Sequence, residues 1–279
     1  MPIAHLDGID LYYEVTGQGT PLVWSHEFGG DHRSWEPQVR YFSRRYRVIT
    51  YNHRGYAPSS VPKGAGNYSQ DILVADLHRL LRHLDVGPVH LGGCSMGANA
   101  ARDFAIAYPE MLKSLIMVGA GAGSVAREQF LASQGAIAES LDRDGIAARV
   151  RNFESLGTRI SFKEKDPRGF AEFLRQSSEH DAQACAHLAR EVMSKRKTVF
   201  EIEAGLRACR VPTLIMVGDL DAPCVEPSLA MRRMMPHAGL VVFPACGHTP
   251  NIEEPGPFNL AVDSFLAAVE SGRWAGWSR

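Results

Sequence analysis

Three groups of residues in this chain could do chemistry together: a serine between glycines, a pair of carboxylates and one late histidine. Gly93-Cys94-Ser95-Met96-Gly97 follows a short apolar run at 88–92 and opens an alanine-rich stretch at 96–107. A serine on a tight strand-to-helix turn needs neighbours without side chains two residues either side, so that the backbone can close. The helix that starts there aims its amides and dipole at developing negative charge. A serine hydroxyl is a poor nucleophile until a base takes its proton, and the base needs a third group to hold its tautomer. Leu214-Ile215-Met216-Val217-Gly218-Asp219-Leu220-Asp221 sets two carboxylates just past an apolar strand, and Gly247-His248-Thr249-Pro250 sets a histidine just past another. A glycine-rich nucleotide-binding turn, the competing reading, leaves those partners without a role. The remaining histidines show no metal-ligand spacing such as H-E-x-x-H.

The elements that must position these groups alternate between strand and helix. Strands are expected at 9–15 (a half-exposed edge strand), 21–25, 47–51, 88–92, 113–118, 211–217 and 240–243. Helices are expected at 32–42, after Ser69 as cap, and at 96–107, 226–235 and 257–269. This rhythm implies an α/β fold with a mainly parallel, doubly wound sheet covered on both faces. Sites in such sheets lie beyond the carboxyl ends of the strands, where Ser95, Asp221 and His248 all fall. Between 122 and 205 the rhythm lapses into strand-poor sequence with 13 basic and 13 acidic residues. We read 123–205 as a helical cap inserted over the serine and 1–122 with 206–279 as the core. Phe130, Ile137, Phe153, Leu156, Phe162 and Phe173 are among the cap residues expected to line a largely hydrophobic pocket.

Composition narrows the class. The 279 residues include 30 Lys+Arg against 31 Asp+Glu, a formal net charge of −1, with no excess of either sign to mark a nucleic-acid or membrane-surface binder. The five cysteines are odd in number and lack C-x-x-C spacing, which favours reduced thiols over disulfides or a zinc site. Cys224 and Cys246 are expected to approach each other near the site. The start lacks a basic region followed by an apolar run, and no apolar run approaches the ~18 residues of a membrane span. The expectation is a cytoplasmic protein, with a homodimer as its one candidate assembly.

Five segments resemble the α/β-hydrolase superfamily, and together they span nearly the whole chain. They are His26-Glu27-Phe28-Gly29-Gly30 with Trp35, Tyr51-Asn52-His53-Arg54-Gly55 followed by Ser59 or Ser60, Gly93 to Gly97, Val217 to Asp221, and Gly247 to Pro255. The likeness is greatest to small esterases and enol-lactonases, and implies about eight strands with a helical cap. It implies Ser95 as nucleophile, His248 as base, Asp221 as acid, and an oxyanion hole from the backbone N–H groups of Phe28 and Met96, with no cofactor and no metal. Asp219 is left as a turn carboxylate, His26 as a support for the oxyanion loop, and Cys94 as a packing residue. The implied substrate is a small, largely apolar ester or lactone. Carbon–carbon hydrolysis of a dienone acid, and a silent ligand-binding protein on the same fold, are the alternatives. Two positions depart from the pattern. Glu27 stands where many relatives carry glycine, either reaching the pocket to meet a polar substrate group or, the favoured reading, turning to solvent or an arginine. Asn52 stands where aspartate is usual, as a loop-packing residue.

Overall fold

The computed structural model describes residues 2–274. Its eight strands are β1 (Ile3–Leu6), β2 (Ile9–Thr16), β3 (Thr20–Ser25), β4 (Tyr46–Tyr51), β5 (Val89–Cys94), β6 (Leu112–Val118), β7 (Thr213–Gly218) and β8 (Ala238–Phe243). They form one sheet in the order β1-β2-β4-β3-β5-β6-β7-β8. The first two strands pair antiparallel, as do β2 and β4; every other pairing is parallel.

Alternate residues of the central strands feed two cores, as the two-residue period of a strand requires. Val23, Leu115 and Met117 join Leu77, Leu81, Phe104 and Met231 on one face. Leu22, Trp24, Ile116 and Val118 join Phe42, Phe258 and Phe265 on the other. The first face is covered by α2 (Gln70–His83) and α3 (Met96–Ala107), the second by α1 (Glu36–Phe42) and a late helix, Pro255–Glu270. Ser69 caps α2 as expected, its side chain accepting from the Ile72 amide.

The chain between β6 and β7 contains no strand. It holds α4 (Arg127–Asp144), α5 (Ile146–Ser155), α6 (Ile160–Lys165), α7 (Pro167–Ser177) and α8 (Ala182–His187), followed by a wide helical turn, Leu188–Met193, and α9 (Glu203–Ala208). Ala138, Leu141, Ala184 and Leu188 cluster with Tyr56 and Tyr68 of the connection between β4 and α2 and with Leu73 of α2. Phe153, Phe162, Phe170 and Phe173 form a separate aromatic cluster.

Three expectations need correction. Residues 9–15 are not an edge strand: β1 lies outside β2, joined to it by a turn in which Gly8 has φ 77°. Four residues with one fully buried position carry too short a pattern to stand out. The helix expected from 226 begins at Ala222 as α10 (Ala222–Met234), because Pro223 sits in the first turn, where proline is tolerated. The helix expected over 32–42 is a 3-10 turn, His32–Trp35, followed by α1, whose first turn holds Pro37. Trp274 anchors the end of the described chain on Phe265 and the His237 carbonyl; Trp277 lies outside the described residues.

Candidate active site

The nucleophile elbow follows from close approach. Ser95 has φ 51° and ψ −110°, a conformation disfavoured for a side-chain-bearing residue. A Cβ on Gly93 would come within 2.5 Å of the Gly97 backbone, and one on Gly97 within 2.2 Å of the Ser25 carbonyl oxygen. Both positions therefore exclude any side chain. The turn is fastened by the Ser95 amide, which donates to Val118 at 2.8 Å, and by Asn99, which donates twice to the Ser95 carbonyl. Ser95 is 7% exposed, opening into a cavity of about 210 Å³ that Asp221, His248, Glu27 and Phe28 also line.

His248 and Asp221 meet as the spacing predicts. Nδ1 of His248 lies 2.7 Å from Oδ2 of Asp221. Burial pushes the Asp221 pKa up, but the neighbouring His248 charge and hydrogen bond outweigh it and hold the carboxyl below its ordinary range. An ionised carboxylate only accepts, so Nδ1 carries the proton and Nε2 is left as an acceptor. Gly119, at φ 57°, leaves them room, since a Cβ there would lie 3.2 Å from Asp221 Oδ2 and from the His248 ring. Asp219 is exposed and accepts from the Cys246 amide at 3.2 Å, a turn-stabilising contact.

The loop carrying Phe28 is held from behind. The carbonyl of Glu27 accepts from His26 Nδ1 at 2.8 Å, that of Phe28 from the Tyr56 hydroxyl at 2.8 Å, and that of Gly29 from Ser177 Oγ at 2.5 Å. With three successive carbonyls occupied, the Phe28 amide is free of protein acceptors among the described residues, as is that of Met96. His26 also accepts the His53 amide on Nε2 at 3.1 Å, which fixes its tautomer. Burial lowers its pKa to about 4, so it is neutral and structural. Asn52 accepts from the His32 amide and ring and donates to Ala57, as a loop-packing residue does.

Glu27 neither turns to solvent nor meets an arginine. It is 1% exposed, its Oε1 accepts from Ser34 Oγ at 3.2 Å, and Oε2 has no protein partner among the described residues. Gly30, whose Cβ would sit 2.4 Å from Oε1, makes the space that lets this carboxyl fold inward.

The cavity wall from 123–205 is largely apolar, as expected, but it also carries two charges. Phe130, Ile137, Phe153 and Leu156 line it, but so do Arg149 and Arg159, both buried. Their guanidinium planes lie on aromatic rings: Arg149 on Phe153 at 4.0 Å and Phe28 at 4.8 Å, Arg159 on Phe173 at 4.7 Å. Stacking lets long charged side chains lie against an aromatic cluster. The one available signal was an arginine four residues before Phe153, a spacing that puts both on one helix face. The same segment supports the histidine loop, since Thr158 accepts the His248 amide at 3.0 Å and Arg159 donates to Thr249 at 2.6 Å.

Of the cysteines, Cys224 reaches the site, with donor atoms of Asp221, Cys224 and His248 within 4.8 Å of one another. Its thiol donates to the Gly119 carbonyl at 3.3 Å, and burial holds it protonated. Cys246 belongs to the same sheet-core cluster as Cys94. All five thiols are free and buried.

The model of the alpha/beta hydrolase fold matches residues 20–255. The chain belongs to the α/β-hydrolase family. A protein of Azorhizobium caulinodans named for carbamate hydrolysis is 29% identical, covering 97% of this chain and all of that one. The 3-oxoadipate enol-lactonase 2 of Acinetobacter baylyi is 27% identical over 95% and 98%. The solved structure of a thermophilic esterase from Thermogutta terrifontis superposes with a TM-score of 0.83 at 29% identity, covering 94% of each chain. Within the family the chain is an enzyme of the hydrolase class, and its relatives are of esterase and lactonase type. No helix among the described residues is long and apolar enough to cross a membrane.

Proposed function

We propose that the protein is a serine hydrolase that cleaves a carboxylic ester or lactone through an acyl-enzyme on Ser95. The observation that carries this is one cavity shared by a serine on a strained turn and a histidine whose Nδ1 is held by a buried carboxylate. Nε2 of His248 takes the hydroxyl proton as Oγ attacks the carbonyl carbon. The oxyanion so formed accepts from the Met96 and Phe28 amides, the α3 dipole adding to the first. Collapse breaks the bond to the leaving oxygen, which takes the proton from Nε2 and departs as an alcohol; a lactone keeps it as the tail of the acyl group. Water, deprotonated by the same nitrogen, then attacks the ester on Ser95 and releases the acid. The helices of 123–205 act as a cap that excludes bulk water.

A fluorophosphonate probe tests this directly. The wild type is expected to acquire one covalent label and Ser95→Ala none, with unchanged circular dichroism. A label that persists in Ser95→Ala rejects the nucleophile assignment.

A further inference from the structure

Two of the five buried arginines are matched by a carboxylate. Arg54, 7% exposed, forms a two-toothed pair with Asp76 at 2.6 and 2.7 Å, and Arg102 pairs with Asp103 at 2.8 Å. Arg196 has no carboxylate, but it donates to the Ala122 carbonyl and keeps no buried nitrogen unbonded among the described residues. Arg102 keeps one buried nitrogen, Nη2, unbonded among the described residues, but it has its carboxylate; Arg149 and Arg159 have neither a carboxylate nor a full set of bonded nitrogens. They are 9% and 2% exposed, neither has a carboxylate within 4.0 Å among the described residues, and the buried Nε of each lacks a partner. Each spends only Nη1 on a neutral oxygen, that of Asn152 or Thr249.

An uncompensated buried charge is costly, and two near each other are more so. Both guanidinium carbons lie over the one Phe153 ring, at 4.0 and 5.6 Å from its centroid. Burial brings the Arg149 pKa down to about 10, and the Arg159 charge acts in the same sense, so Arg149 is still cationic at neutral pH. Two carboxylates face the same cavity, but Asp221 is engaged by His248, and Glu27 turns its Oε1 to Ser34. The guanidinium carbons lie over the rings of Phe28, Phe153 and Phe173, and a guanidinium can meet a planar, two-oxygen ligand with two parallel hydrogen bonds. Phe28 is also the residue whose amide is assigned to the oxyanion, and Arg149 and Arg159 line the same cavity as Ser95. At about 210 Å³ the cavity is smaller than the ~300–1,000 Å³ that holds drug-sized ligands.

We infer that Arg149, with Arg159 behind it, is a carboxylate-binding subsite, and that the substrate is a small ester or lactone carrying a free carboxylate a few bonds from the scissile carbonyl. The inference rests on the Ser95 reading for its chemistry, but the binding of the acid does not. This carboxylate would supply the counter-ion that neither guanidinium has within 4.0 Å among the described residues, while the apolar residues of the cavity take the methylene chain.

Mono-p-nitrophenyl adipate and p-nitrophenyl hexanoate differ only by a terminal carboxylate in place of a methyl. The wild type is expected to prefer the adipate in kcat/KM. A charge-assisted hydrogen bond contributes about 1.5–3 kcal/mol, so the preference should be about 10–150-fold and should lie mainly in KM. In Arg149→Met the ratio of the two kcat/KM values should fall toward one, whereas Arg143→Met, on the exposed face of α4, should keep it. Adipate itself should raise the melting temperature of the wild type and fail to raise that of Arg149→Met, whose fold is verified by its own cooperative melt. Should that variant not fold, Arg159→Met takes its place in both assays. Fluorophosphonate labelling without any adipate preference would overturn the subsite and leave the Ser95 reading intact. Adipate stabilisation without labelling would do the reverse.

Discussion

The two walls of the cavity are built on different principles. The sheet wall places Ser95, Asp221, His248 and the Phe28 amide by backbone constraint: a strained φ, glycines pressed against carbonyls, and loop carbonyls tied down by His26, Tyr56 and Ser177. The helical wall places Arg149 and Arg159 by stacking on aromatic rings, with one neutral hydrogen bond each. The first wall leaves little latitude, as bond-making requires; the second can be respecified by exchanging side chains. On the two proposals above, chemistry belongs to the first wall and recognition to the second, with Thr158 and Ser177 as the joints between them.

The sharpest way to break this contrast is in the sheet wall. Ser95→Ala should lower kcat by about 10⁶-fold, by analogy with other serine triads, measured with any ester the wild type cleaves. Next, Asp221→Asn should cost about 10⁴-fold, because it disfavours the tautomer that frees Nε2, whereas Asp219→Asn, which loses one exposed turn contact, should cost under about tenfold. A reversed order of those two would reassign the acid.

The joint between the walls is the third test. A Cβ on Gly247 would meet the Thr158 carbonyl oxygen at 2.3 Å, so Gly247→Ala must shift the His248 loop against the helical wall. The expected outcome is a 10- to 100-fold loss in kcat from misplacement alone, with adipate binding retained. Loss of adipate binding instead would show that the walls are not separable.

The smallest effect is on stability. His26 has a native pKa of about 4 against an ordinary 6.5, so the unfolded chain takes up the proton first as pH falls. The stabilisation is fully present above pH 6.5 and is lost on the way to pH 4, with a slope of up to about 1.4 kcal/mol per pH unit. His53, lowered by burial, adds in the same sense. Denaturation midpoints between pH 7 and 4 should fall less steeply in His26→Gln than in the wild type.

The same contrast explains what could be read from the residues alone. Ser95, Asp221 and His248 were legible because each sits at the end of an apolar strand beside glycines whose spacing is set by contact distances. The β-rich segments and α3 were legible for the same reason, since period and breakers are local. Arg149 and Arg159 were not, because their partners Phe28, Phe173 and Thr249 come from distant parts of the chain, and thirteen basic residues in 122–205 look alike in sequence. The inward fold of Glu27 depends on Gly30 and Ser34, and β1 on its pairing with β2.

Ser177 belongs to α7, yet its hydroxyl holds the carbonyl of Gly29, next to the amide assigned to the oxyanion. Any outward swing of that helix must release this tether. An opened enzyme would then have a slackened anion cradle and a closed one a taut cradle, so that a single hydroxyl couples admission to reactivity.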